Sequence, residues 1–303
     1  MAGRVTKGSY ESFYLRAVDP QRPRGAWIRY TTHRRPGRAR TGSLWCTYFD
    51  AGAAAAYAVK ETLPDPRRGD WIAIGDSTLG PGGARGSASG RGRSAAWDLT
   101  IAGGEAPLRH LPREWMYRAR LPRTKLESPV PGATFDGLLQ IGGERVEVRG
   151  WPGMVGHNWG AEHAAAWVWL HGTAFGEDAW LDLSAGRLRV GPLLTPWIAN
   201  GALKIDGRRL RLGGPRPAKV DATPGSCRIT VPGAVIEAIP AQTVAWPYAD
   251  PKGGEHHSLN SSIAELRIEL DDGRELTTAH GGVYEVGTTD FGHGIPVQPF
   301  SDG

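Results

Sequence analysis

Ile263-Ala264-Glu265-Leu266-Arg267-Ile268-Glu269-Leu270 places apolar side chains at 264, 266, 268 and 270 and charged ones at 265, 267 and 269. A two-residue period fits a strand, because successive side chains point to opposite faces of a sheet. One wet and one dry face mark that strand as antiparallel and half-buried. The same pattern recurs outward in both directions. Trp27, Arg29 and Thr31 alternate with Ile28 and Tyr30, and Ser43–Phe49, Tyr57–Leu63 and Ala95–Ile101 read as further strands. Hairpins are expected where Gly142-Gly143 separates 134–141 from 145–149, where Gly176-Glu177-Asp178 separates Trp167–Thr173 from Ala179–Ser184, and where Asp206-Gly207 separates 202–205 from 208–212. The 43 Gly and 23 Pro are spread along the chain, cutting it into short segments that suit strands and turns rather than helices. Leu108–Lys125, with prolines at 112 and 122, reads as a loop crossing a barrel mouth.

These segments make an all-β protein. The pattern restarts after Gly191-Pro192, and no exact internal repeat is present. The expected organisation is two antiparallel β-barrel or sandwich domains in tandem, 1–190 and 191–303.

Composition narrows the function. Hydrophobic residues are 40% and charged residues 22% of the 303, ordinary for a globular chain. The net charge of +5 is carried mostly by arginine, densest in His33–Arg40. That run contains Pro36 and Gly37 between strand-like segments and reads as a solvated hairpin loop, so nucleic acid is not an expected partner. Residues 1–7 lack an apolar core, no apolar run reaches membrane-spanning length, and Cys46 and Cys227 cannot form a disulfide framework. The expectation is a cytoplasmic protein with no membrane span; the oligomeric state stays open. No phosphate loop, dinucleotide fingerprint or nucleophile elbow occurs, so no cofactor is expected. Twelve Trp outnumber eight Tyr and six Phe, enough to brace barrels and also line an apolar ligand site.

One stretch stands apart: Gly156-His157-Asn158-Trp159-Gly160-Ala161-Glu162-His163, followed by Trp167-Val168-Trp169-Leu170-His171. Strand alternation sets Trp167, Trp169 and His171 on one face, and Trp180 and Asp182 share a face of the partner strand. The histidines offer metal-ligand types but lack a zinc-helix spacing, so no metal is expected. A purely structural role, with His157 in a tight turn and Trp159 plugging a barrel end, fits the residues as well as a catalytic one.

The Gly-His-Asn-Trp-Gly run, followed by an aromatic strand and an aromatic-x-Asp strand, resembles the hydroxyneurosporene synthase (carotenoid 1,2-hydratase) family and its tocopherol-cyclase-like relatives. That resemblance implies paired lipocalin-like β domains and catalysis by His157, Trp159 and Asp182, with Trp180 where the family usually has Tyr and Gly156 where it commonly has Asp. The implied activity is cofactor-independent, acid-catalysed hydration or cyclisation of a terpenoid or polyene. The alternative is a non-catalytic carrier for an apolar lipid or isoprenoid. Alkene hydration starts with protonation of carbon, which would require Asp182 to keep its proton in a desolvated site. In that scheme His157 orients, the indoles of Trp159, Trp167, Trp169 and Trp180 stabilise a cation, and His163 and His171 complete the substrate wall.

Overall fold

The computed structural model describes residues 8–300 apart from 65, 68 and 177. Residues 1–7, read above for a secretory signal, and Glu177 of the expected 176–178 turn lie outside that range. The described residues are almost entirely antiparallel β, with one short 3₁₀ turn at Glu114–Tyr117.

The strands form two large sheets of like topology. In the first, Ser9–Val18, Arg24–Arg34, Thr41–Asp50 and Tyr57–Pro64 run outward in sequence order, and the last strand, Glu144–Gly160, returns beside Ser9–Val18. Thr124–Ile141 lies next, then Arg93–Ala102 and Gly83–Gly90. The second sheet repeats the scheme: Ala166–Gly172, Trp180–Arg187, Ile198–Ile205 and Arg208–Gly213 run outward, and the last strand, Glu275–Thr288, returns beside Ala166–Gly172, followed by Glu255–Leu270. Each sheet has one long hairpin whose register shifts near its middle, between Glu127 and Ala133 in the first and between Ser261 and Leu266 in the second. The two sheets share a strand order although no exact repeat is present in the sequence.

The chain passes from the first sheet to the second across 161–165, not at 190. The segment 166–187, expected in the first domain, hydrogen-bonds in the second sheet. Gly191-Pro192 proves to be the turn of a small hairpin, Arg189–Val190 with Leu193–Leu194. The real crossover, Ala161–Ala165, has no Gly or Pro to announce it.

Ser9–Val18 shows how the halves join. Phe13, Leu15 and Ala17 point into the first core with Ile28 and Tyr30. The alternate residues Tyr14 and Val18, with Trp27 and Trp45, pack instead against Trp169, Trp246, Tyr248 and Ile263 of the second half. Both faces of this strand are therefore dry, and apolar burial on both faces is what holds the two sheets together. Arg16 is fully buried in that seam, its guanidinium donating to Thr173 Oγ1 (2.9 Å) and the Ser262 carbonyl (3.2 Å).

Candidate functional site

A chamber of about 400 Å³ lies between the halves, within the size range of small-molecule sites. Tyr14, Trp27, Arg29 and Asn158 line it from the first half, and His163, Trp167, Trp169 and Glu285 from the second. The 108–125 loop covers it through His110, Leu111, Pro112, Met116 and Pro122, as its prolines suggested.

Two glycines seat two of the aromatic walls. Trp167 pairs across the ladder with Gly287, and a Cβ there would collide with the indole ring. Trp167 thus lies flat on the strand and donates Nε1–H to Glu285 (2.9 Å). Gly156 faces Tyr14 in the same manner, and a Cβ would run into the phenol ring. A side chain larger than hydrogen at 156, such as the Asp of the resembling family, is incompatible with Tyr14 lying there. Gly287→Ala is expected to push the Trp167 indole into the chamber and weaken binding of a hydrophobic dye at least about tenfold, the scale of one displaced aromatic side chain. Titration of the dye against both proteins checks it.

Period-two geometry sorts the expected site residues. Asn158 lines the chamber, whereas its neighbours His157 and Trp159 fall on the other face of the strand. His157 stacks between Phe13 (3.8 Å) and Trp159 (4.3 Å), its nitrogens 3.2 Å from Glu11 and 3.3 Å from Glu127. Burial lowers its pKa, but the two carboxylates outweigh that and raise it. Neither His157 nor Trp159 reaches the chamber. Trp167, Trp169 and His163 do. His171 lies deeper, bonded to the Pro131 carbonyl (3.4 Å), and burial together with Arg16 pushes its pKa down to about 3. Trp180 is buried behind the wall, donating to Glu105 (2.8 Å) under Arg209.

Asp182 is fully buried beneath the wall. Its Oδ1 accepts from Trp169 Nε1 (3.0 Å), its Oδ2 accepts from Ser128 Oγ (2.5 Å), and His110 Nε2 stands 3.3 Å from Oδ2. Burial favours the protonated acid, but the His110 charge, its hydrogen bond and those of the neighbours prevail, holding the carboxyl at about 2. The expectation of a protonated Asp182 is reversed: burial came with donors on every side, and donors favour the anion. The pairing favours the proton on His110. Burial alone would lower its pKa, yet Asp182 and the Asn200 carbonyl, which accepts from Nδ1 at 3.0 Å, raise it.

The sheet irregularity at 127–133 makes this arrangement. Pro129 and Pro131 cannot donate to the ladder, the register slips, and Leu108–Arg109 pairs with Glu127–Ser128 there. That pairing delivers both His110 and Ser128 to a carboxylate of the other half.

A second histidine–carboxylate pair serves the same chamber. His163 donates both its backbone N–H (3.0 Å) and Nδ1–H (2.8 Å) to Asp250 Oδ1, and Tyr10 stacks on its ring at 4.0 Å. Asp250 lies well below the usual carboxylate range: burial opposes this, but the donors from His163 and from His256, 3.2 Å away, outweigh it. His163 is held below the ordinary histidine value by burial, with Arg29 and His256 adding to it and Asp250 opposing. Its neutral form is favoured, with Nδ1 engaged and Nε2 buried without a hydrogen-bond partner. The Oδ1 atoms of Asn158 and Asn200, both on the chamber wall, are likewise unpartnered. Arg29 is buried on the wall, held by Thr31, Ser12 and the Tyr248 hydroxyl, with no carboxylate at ion-pair distance among the described residues. Among the same residues no three His, Cys, Asp or Glu side chains converge as a metal site, and no helix is long and apolar enough to cross a membrane.

Sequence reasoning missed His110, Ser128 and Asp250. The loop assignment of 108–125 was the one available pointer to His110. Asn158 sat inside the quoted signature, and strand phase would have separated it from its neighbours.

No family model matches the chain. It is 26% identical over 294 residues to two uncharacterized proteins of Mycobacterium tuberculosis, Rv0493c and MT0513, covering 94% of this chain and 88% of each of them. Among solved structures it resembles the AttH-like protein NE1406 of Nitrosomonas europaea (TM-score 0.56, 11% identity, 95% of this chain and 98% of that one). It also resembles kievitone hydratase of Nectria haematococca (0.56, 9%, 93% and 89%) and CghA, solved with Sch210972 (0.58, 13%, 93% and 88%). The all-β two-sheet fold is shared with these proteins.

Proposed function

We propose that this protein is an acid–base enzyme that adds water to, removes water from, or cyclises an unsaturated apolar molecule held between its halves. One observation carries the reading: two histidine–carboxylate pairs of opposite protonation bias, His110–Asp182 and His163–Asp250, serve one largely apolar chamber. An imidazolium and a neutral imidazole are the two partners that general acid–base catalysis needs near neutral pH. The likeness to a hydratase in fold agrees with it.

In the dehydration direction, His163 Nε2 takes a proton from carbon, and the C–H pair is held as an enolate on the neighbouring carbonyl before it forms the new double bond. His110 Nε2–H protonates the departing hydroxyl, which leaves as water. Hydration runs the same steps backward. Delivery requires the Nε2 proton to leave two long contacts, to Asp182 and Ser128 at 3.3 Å each, for the ligand oxygen. The unpartnered oxygens of Asn158 and Asn200 are the acceptors on the wall that a hydroxyl or water would engage. An imidazolium is a weaker acid than the neutral carboxyl first expected and is poorly suited to protonate an isolated alkene. The substrate class that fits is one whose C–H or C–OH is activated by a neighbouring carbonyl or conjugated system. An unfunctionalised polyene fits less well.

The test is incubation with β-hydroxy carbonyl compounds and conjugated enones in D₂O and in ¹⁸O-water. Mass shifts from loss or gain of water, with deuterium at carbon and ¹⁸O at the hydroxyl, are expected from the native protein, whereas His110→Gln should neither lose nor gain water and should take up no ¹⁸O. Ligands that bind tightly and return unlabelled would replace this reading with that of a carrier.

A further inference from the structure

We infer that the mouth of the chamber docks on an anionic lipid surface, from which the apolar ligand enters. Only the reason for docking rests on the function proposed above; the surface itself is read from exposure and charge. Among the described residues nine large hydrophobic side chains are exposed, and five of them, Trp115, Leu121, Val190, Leu193 and Leu194, fall in two short segments. Trp115 and Leu193 are 64% and 71% exposed. Both segments border the chamber: the first contributes Pro112, Met116 and Pro122 to its lining, the second lies between the lining residues Leu188 and Thr195. Pro112 is itself exposed, which places the opening beside these segments. The side chains that face inward there line the ligand's path, and those that face outward have nothing to cover them.

Arginines fill the spaces between. Arg113, Arg118, Arg120 and Arg189 are exposed and have no carboxylate within ion-pair distance among the described residues. Glu114, the acidic residue of the 111–123 segment, is already engaged by Arg109. Indole and leucine tips surrounded by unpaired guanidinium groups match the boundary of a bilayer with anionic headgroups, where Trp settles at the interface and arginine meets phosphate. A second protein copy would have to bring matching carboxylates, and this rim offers none to itself.

Co-sedimentation of the full chain with extruded vesicles tests the inference, using phosphatidylcholine alone and phosphatidylcholine mixed with phosphatidylglycerol. Binding is expected to favour the mixed vesicles and to weaken in high salt. It should fall at least about tenfold in Trp115→Asp/Leu193→Asp, and about fivefold for each of Arg118→Gln and Arg120→Gln. These positions are exposed, and unchanged thermal unfolding will show that the variants fold. Equal binding to both vesicle types, retention of binding by the variants, or no sedimentation at all would overturn the inference. So would a concentration-dependent dimer that the same variants dissolve. None of these measurements involves turnover, so the lipid surface and the acid–base reading fail or stand separately.

Discussion

Asp182→Asn is expected to lower turnover by about 10²–10⁴-fold and to cost about 3–5 kcal/mol of stability. The carboxylate accepts from Trp169, Ser128 and His110 with no access to water. An amide would set an NH₂ against one of these donors and remove the negative charge. Without that charge, burial dominates at His110, its pKa falls, and the imidazolium is lost at neutral pH. The signature lies in the pH profile. Activity of the native protein needs His110 protonated and His163 neutral. It is therefore lost above the raised pKa of His110 and below the lowered pKa of His163, giving a broad plateau around the ordinary histidine value. In Asp182→Asn the alkaline limb should move to lower pH while the acid limb stays. An unshifted alkaline limb would remove His110 from the acid's role. Stability follows the same signs. Asp182 contributes above the ordinary carboxylate range, and that contribution disappears as pH falls toward about 2. The His110 contribution is present below its ordinary value of about 6.5 and is lost as pH rises through its folded pKa. His171, neutral in the core, adds stability above about 6.5 that is lost as pH falls toward about 3.

His163→Gln is expected to reduce turnover by a similar factor, about 10²–10⁴, while leaving ligand affinity nearly unchanged. Glutamine can still donate to Asp250, which keeps its backbone bond from position 163, so the pocket should stay intact. What it lacks is a lone pair basic enough to take a proton from carbon. Deuterium exchange at the ligand C–H separates the two histidines. Exchange should vanish in His163→Gln and survive in His110→Gln, where only departure of water is blocked. Exchange persisting in His163→Gln would assign proton abstraction elsewhere.

The fold was legible wherever one face of a strand is wet. Ile263–Leu270 shows charge and hydrocarbon alternating, and its partners at 234–240 and 275–288 flank it as strands should. It was less legible where both faces are buried: Ser9–Val18 carries aromatic, polar and charged residues in succession because one face enters a core and the other enters the seam. The domain boundary misled because Gly191-Pro192 punctuates strongly and Ala161–Ala165 does not. At the site, alternation put Trp167 and Trp169 on one face, but it left Asp182, set between Leu181 and Leu183, open to either a surface or a buried place. The roles of His157 and Trp159 came from resemblance to a signature, and strand phase turned both away from the chamber. His110 and Asp250 reach the site through a sheet irregularity and a distant hairpin, contacts 72 and 87 residues apart that no local pattern encodes.

The position of the chamber between two separately wound sheets ties chemistry to assembly. His110 belongs to one half and Asp182 to the other, so on the proposed reading neither half alone would hold a working centre. A bound ligand touches both and acts as mortar, opposing their separation by RT ln(1 + [L]/Kd), about 2.7 kcal/mol at a hundredfold excess over Kd. A cell that supplies the ligand would thereby also protect the protein from proteases that clip chains whose halves have come apart.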